Sequence, residues 1–86
     1  MYVILVYDVD VSRVNKINKF LKRYLLWIQN SVFEGEISDS LYEKMKKGID
    51  KIIKEEDSVI IYKFKAISSM EREIIGMDKS KSDNVI

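Results

Sequence analysis

The chain contains no cysteine, no histidine and no proline, and only three glycines among its 86 residues. Without cysteine there is no disulfide framework and no thiolate zinc site, and without histidine the usual nitrogen ligands are missing too. Oxygen donors remain, so any metal expected here is a hard cation such as magnesium, manganese or calcium. The lack of histidine also removes triads of the Ser-His-Asp and Cys-His kinds. No glycine-rich phosphate loop occurs, which argues against a nucleotide-dependent enzyme. The longest apolar run, residues 1–7, is far short of the roughly 20 residues a membrane span needs, and there is no basic segment before it as in a secretory signal. A cytoplasmic protein without membrane contact is the expectation.

What is present describes one small folded domain. Hydrophobic residues make up 47% and charged residues 34%, an ordinary globular composition rather than a disordered one. A chain of this length buries a smaller share of its surface than a larger one, so extra burial through self-association is expected. The net charge of +1 hides an uneven distribution. No acid stands between Val11 and Phe33, while Arg13, Lys16, Lys19, Lys22 and Arg23 do. From Glu34 to Asp57 the balance reverses, with eight acids against five lysines. An asymmetry of this kind builds a local field that the bulk charge conceals.

Residues Tyr2–Tyr7 are β-branched-rich and bounded by polar turn formers, which predicts a strand, apolar on both faces. Ser12 is a natural N-cap for a helix to about Leu25, with Val14, Ile17, Leu21 and Tyr24 on one face. Lys16, Lys19 and Arg23 form a stripe outside that face. LWIQNSVFEGEI at 26–37 predicts a hairpin turning at Asn30 and Ser31. Ser38 or Ser40 can cap a second helix, the latter with Glu43 in capping-box spacing. This helix reaches about Lys54, with Leu41, Met45, Ile49 and Ile52 in one arc. Gly48 lies in the arc, where a missing side chain would let the helix approach a sheet.

SVIIYKF at 58–64 is another strand apolar on both faces, and a last apolar run lies around REIIGM. The order strand, helix, strand, strand, helix, strand is the split β-α-β of an α+β, ferredoxin-like fold, with one extra C-terminal strand. The expected domain is 1–78, followed by a flexible tail at 79–86. Two helices cover one face of a four-stranded sheet, yet its strands are apolar on both. A second copy packed on the open face about a two-fold axis, with the extra strand pairing across, resolves the conflict.

Asp8 and Asp10 close the first strand. An acid there commonly makes a turn or caps the next helix, and Asp10 suits that role. Asp8 gains another from the dimer, because two Asp8 carboxylates meeting near the axis can hold one magnesium ion and leave positions for water and a phosphate oxygen. Lysines on a helix are usually a solvated face. The basic run from Arg13 to Arg23 can also be a footprint for a phosphate backbone, giving affinity with little sequence preference. Tyr62 and Phe64 share a strand face without the RNA-recognition signature, so packing is their expected role.

VYDV at 6–9, NKINKFLKRY, WIQNSVFEGEIS at 27–38, EEDSVIIYKF at 55–64 and REIIG at 72–76 together resemble the CRISPR-associated protein 2 family over nearly the whole chain. The resemblance implies a ferredoxin-like homodimer in CRISPR immunity, with Asp8 matching the family's metal-associated aspartate. It further implies a magnesium-dependent endonuclease, manganese being an alternative ion, acting on single-stranded RNA or double-stranded DNA. Tyr7, Asp10, Ser31 and Phe33 would support Asp8, and Arg13, Lys16, Lys19 and Arg23 would bind the nucleic acid. Family members also form the central dimer of the spacer-acquisition complex with the integrase CRISPR-associated protein 1. A non-catalytic, DNA-holding scaffold is therefore the alternative function. The chain departs from the common family pattern after Tyr24, where Leu25, Leu26 and Trp27 replace the usual glycine and basic residues.

Overall fold

The computed structural model describes residues 1–82. Strand β1 (Tyr2–Asp8) leads into helix α1 (Val11–Leu21), then the hairpin β2 (Leu26–Gln29) and β3 (Val32–Glu36), helix α2 (Asp39–Ile52) and strand β4 (Ser58–Phe64). The strands form one sheet in the order β2-β3-β1-β4, with every neighbouring pair antiparallel. This is the expected ferredoxin-like α+β arrangement. Asn30 makes the hairpin turn with φ 42, a left-handed conformation that asparagine tolerates better than most residues.

Alternation along the strands gives the sheet two different faces. Val3, Leu5, Tyr7 and Phe33 point to the helices and are buried with Ile17, Leu21, Tyr42, Met45 and Ile49. Tyr42 takes the core place expected of Leu41, which is 47% exposed. Ser38, not Ser40, caps α2 by accepting from Leu41 N–H. The predicted close approach at Gly48 is to the other helix rather than to the sheet. A Cβ there would fall 2.1 Å from Cζ of Phe20 on α1.

The opposite face carries Tyr2, Ile4, Val6 and Asp8 of β1, with Tyr62 opposite Ile4 and Ile60 opposite Val6. Ile60 and Tyr62 are about half exposed (49% and 54%), so in a single chain this apolar face lacks a complete cover. Among the described residues no strand follows β4, which corrects the expected extra strand in the isolated chain. A single 3-10 turn at Ile67–Ser69 ends the ladder, and the following segment brings Arg72 to the Glu34 carboxylate on the open face. Glu34 also accepts from the Tyr2 hydroxyl, so a buried acid finds two partners here. The outer edge of β4 is open to such a strand, but the segment leaves that edge as Arg72 is drawn across the open face to the buried Glu34. The expected tail begins with a short helix, α3 (Lys79–Ser82), lying against β2 and started by Asp78, which accepts from Ser80 N–H. Residues 83–86 of that tail lie outside the described residues.

Candidate active site

Asp8 is the last residue of β1, across the ladder from Ser58. It is exposed, and its position in the alternation puts it on the open sheet face with Ile4 and Val6. Its carboxylate makes no hydrogen bond or ion pair among the described residues. The next residue back, Tyr7, points the other way into the core, where its ring lies 6.3 Å from that of Phe33. Asn18 Nδ2 donates to the Tyr7 hydroxyl at 3.4 Å. The Tyr7 N–H donates to the main-chain carbonyl of Ser31 at 3.1 Å, seating the hairpin turn beside the end of β1. Tyr7, Ser31 and Phe33 thus pack together at the end of the strand that carries Asp8, the two rings on the sheet face opposite its side chain. Ser31 contributes its carbonyl and Phe33 its wholly buried ring.

The loop after Asp8 is held by a residue that sequence reading did not select. Asp57, whose side chain is fully buried, accepts from Asp10 N–H at 3.0 Å and Lys54 N–H at 2.9 Å. It also takes a forked pair from Arg13, Nε at 2.6 Å and Nη2 at 3.0 Å. The Arg13 guanidinium, more than any other neighbour, holds the Asp57 carboxyl far below the usual carboxylate range. One carboxylate therefore ties the end of β1, the start of α1, the end of α2 and the start of β4. The short EED run at 55–57 marks a helix end; nothing local links it to an arginine 44 residues away.

The expected roles of Ser12 and Arg13 change, while Asp10 takes the capping role expected of it. Asp10, not Ser12, is the N-cap of α1, its Oδ2 accepting from Ser12 N–H at 3.0 Å. The Ser12 hydroxyl and N–H together keep the Asp10 carboxyl below its ordinary value. Arg13 is not an open member of the basic stripe. Its side chain is 14% exposed and committed to Asp57, with Glu56 at 3.4 Å besides, because a buried carboxylate needs a charged partner more than a solvated phosphate does.

Lys16, Lys19 and Arg23 are exposed and make no ion pair among the described residues. They lie on the outer side of the helical layer, whereas Asp8 lies on the open face of the sheet. The structure does not bring them together. For metal, Asp8 supplies an exposed, uncommitted carboxylate oxygen, the donor that magnesium or manganese prefers. The described residues contain no group of three or more candidate ligands, so a complete site would need further donors from a second copy, water and substrate.

Comparison with known proteins gives a consistent set of matches. The family model described as CRISPR associated protein Cas2 matches residues 1–72. A CRISPR-associated endoribonuclease Cas2 of Methanocaldococcus jannaschii is 56% identical across 100% of this chain and 76% of its own length. The Cas2 endoribonuclease of Thermococcus kodakarensis is 47% identical across 100% of both chains. A crystal structure of Cas2 shares the fold with a TM-score of 0.86 at 50% identity, covering 93% of this chain and 91% of that one. Streptococcus pyogenes Cas2 gives a TM-score of 0.77 at 28% identity, with 88% and 100% coverage.

Proposed function

This chain belongs to the CRISPR-associated protein Cas2 family, and from that premise we propose that it is a metal-dependent endonuclease. It cleaves phosphodiester bonds of single-stranded RNA or double-stranded DNA as a homodimer joined through the open sheet face. The observation that carries this reading is the position of Asp8, uncommitted and exposed on the same face as the uncovered Ile60 and Tyr62. Closing that face with a second copy brings a second Asp8 to the same interface. The curated names of the relatives, which call them endoribonucleases, point the same way.

Asp8 of each subunit would hold magnesium, or manganese in its place. Such an ion supplies charge neutralisation at the phosphate and acidifies water. The protein's part is positional. Asp57 and Arg13 fix the loop that follows Asp8, while Tyr7 and Phe33 fix the strand end beneath it, so the carboxylate needs little rearrangement to engage a ligand. No histidine is present in the chain, so a base drawn from it would be a carboxylate, a lysine or a tyrosine.

The biological setting proposed is CRISPR spacer acquisition and antiviral defence in the cytoplasm, with the integrase CRISPR-associated protein 1 as partner. One observation favours a second reading. The unpaired bases of α1 sit on a different layer from Asp8, as a DNA-holding scaffold with no cleavage step would allow. Purified protein is incubated with single-stranded RNA and duplex DNA in magnesium, alongside Asp8→Ala. Cleavage lost in the variant supports the nuclease. Cleavage unchanged in the variant rejects the role of Asp8, and binding without cleavage in either protein selects the scaffold.

A further inference from the structure

Helices α1 and α2 meet where the Phe20 ring faces the bare backbone of Gly48. The residues around this contact repeat a pattern on both helices. Lys16 and Arg23 stand four before and three after Phe20; Lys44 and Lys51 stand four before and three after Gly48. At 100° per residue both offsets rotate a side chain by about 50° from the contact residue, here away from the core and toward solvent. The Arg23 guanidinium lies 5.9 Å over the Phe20 ring, which places it on that side although the helix has ended at Leu21. Lys19 and Lys47 come immediately before the contact residues, on the two crests.

β1 and β3 run antiparallel and each leads into its helix, so the helices run in opposite senses. Lys16 then faces Lys51 across the seam, and Arg23 faces Lys44. None of these bases has an ion-pair partner among the described residues. The acids of α2 occupy its other flank, where Glu43 and Asp50 line the groove toward β4 and Glu43 pairs with Lys46 at 3.3 Å. Like charges gathered on both sides of a helix contact repel, and no acid on either seam-facing flank offsets them. A polyanion lying along the seam does offset them.

We propose that the outer seam between α1 and α2 binds a phosphodiester backbone, with Lys44 and Lys51 completing the row that Lys16 and Arg23 form. The bases extend about 10 Å along the seam, and two packed helices are about 8–10 Å apart. That is room for one backbone with successive phosphates between two rows of charge. The seam offers cations and no pattern of donors and acceptors that could read bases, so binding is independent of sequence. The proposal rests on the nucleic-acid reading above but not on cleavage by Asp8, which sits on the other layer.

Single-stranded RNA and duplex DNA share this backbone, and labelled probes of each, titrated at several salt concentrations by fluorescence anisotropy, separate them. In Lys44→Gln/Lys51→Gln the slope of log affinity against log salt should fall by about 1.8 for duplex DNA or about 1.4 for RNA, with affinity down roughly tenfold or more. The probe that shows the loss is the form the seam holds. Lys46→Gln, on the far flank, should leave the slope unchanged, and Lys44→Arg/Lys51→Arg should keep it. Wild-type binding with an unaltered slope in the double glutamine variant overturns the seam alone. An equal loss in Lys46→Gln also overturns it, by showing that only bulk charge matters. If the wild type neither binds nor cleaves either probe at low salt, the nucleic-acid reading and the seam fall together; Asp8-dependent cleavage with no measurable binding overturns the seam alone.

Discussion

Gly48→Ala should change the sign of its effect according to what stands at position 20. In the native chain the new Cβ would lie 2.1 Å from Cζ and 2.6 Å from Cε1 of Phe20. The ring must move away from its neighbours, Tyr24 at 5.2 Å between centroids and the Arg23 guanidinium. Overpacking of this kind costs about 1–3 kcal/mol. Against it, alanine is favoured over glycine inside a helix by about 0.8–1 kcal/mol. The clash wins, for a net loss of about 1 kcal/mol. In Phe20→Ala the space is vacant, only the helical preference remains, and the same substitution should stabilise by about 1 kcal/mol. The coupling is therefore about 2 kcal/mol, well above the few tenths expected of independent sites. Urea denaturation of the four proteins at one protein concentration measures it, the fixed concentration holding any self-association constant. If Gly48→Ala has the same sign in both backgrounds, the α1–α2 contact is not limited by Phe20.

The other expectations concern charge and assembly. Asp57 is held low by Arg13, so its stabilisation is complete above the unfolded carboxylate pKa of about 3.9 and is lost as pH falls toward the lower folded value. The melting temperature of wild type should exceed that of Asp57→Asn at pH 6, with the gap closing as the pH approaches 2; a gap that widens toward acid refutes the pairing. Arg13→Lys cannot reproduce the two-pronged contact and should melt below wild type but above Arg13→Ala in calorimetry, with identical melting of the two variants counting against the fork. Ile60→Asp on the open sheet face should give a monomer in sedimentation, with magnesium-dependent cleavage lost while Asp8 is intact. A dimer that persists in Ile60→Asp would remove the sheet-face interface.

Most of the architecture was legible because it rests on local periodicity. The doubly apolar β1 and β4, the turn at Asn30 and the arc of α2 each follow from residues within one element. What failed depends on partners distant in the chain. Asp57 looks like one more acid after a helix until Arg13 is placed against it. The segment around Ile74 is apolar enough for a strand, but the ion pair of Arg72 with the buried Glu34 takes it across the open face and away from the β4 edge. Asp8 is legible as a candidate from its position at the end of a buried strand. The supporting parts of Tyr7, Ser31 and Phe33 rest on family resemblance; the contacts of these residues with the end of β1 are what any packed strand end would make.

The charge of the second helix shows why linear bookkeeping misleads. Counted along the chain, residues 34–57 are an acidic stretch, but Glu34, Glu36 and the acids at 55–57 lie outside α2, whose own span sets Asp39, Glu43 and Asp50 against four lysines. Wound into a helix, the same residues separate by angle. Lys44 and Lys51 turn to the α1 side, while Glu43 and Asp50 turn to β4. The two helices therefore present like charges along their shared outer seam, and what holds them there is Phe20 against Gly48 together with the core beneath. A contact that works against its own electrostatics gives the chain a basic surface on the layer opposite Asp8. In the proposed dimer closed through the sheets, both such surfaces would face outward while both Asp8 residues would lie on the closed face. Raising salt should then release nucleic acid from the outer surfaces long before it separates the apolar interface, since screening weakens exposed charge and leaves hydrophobic burial in place.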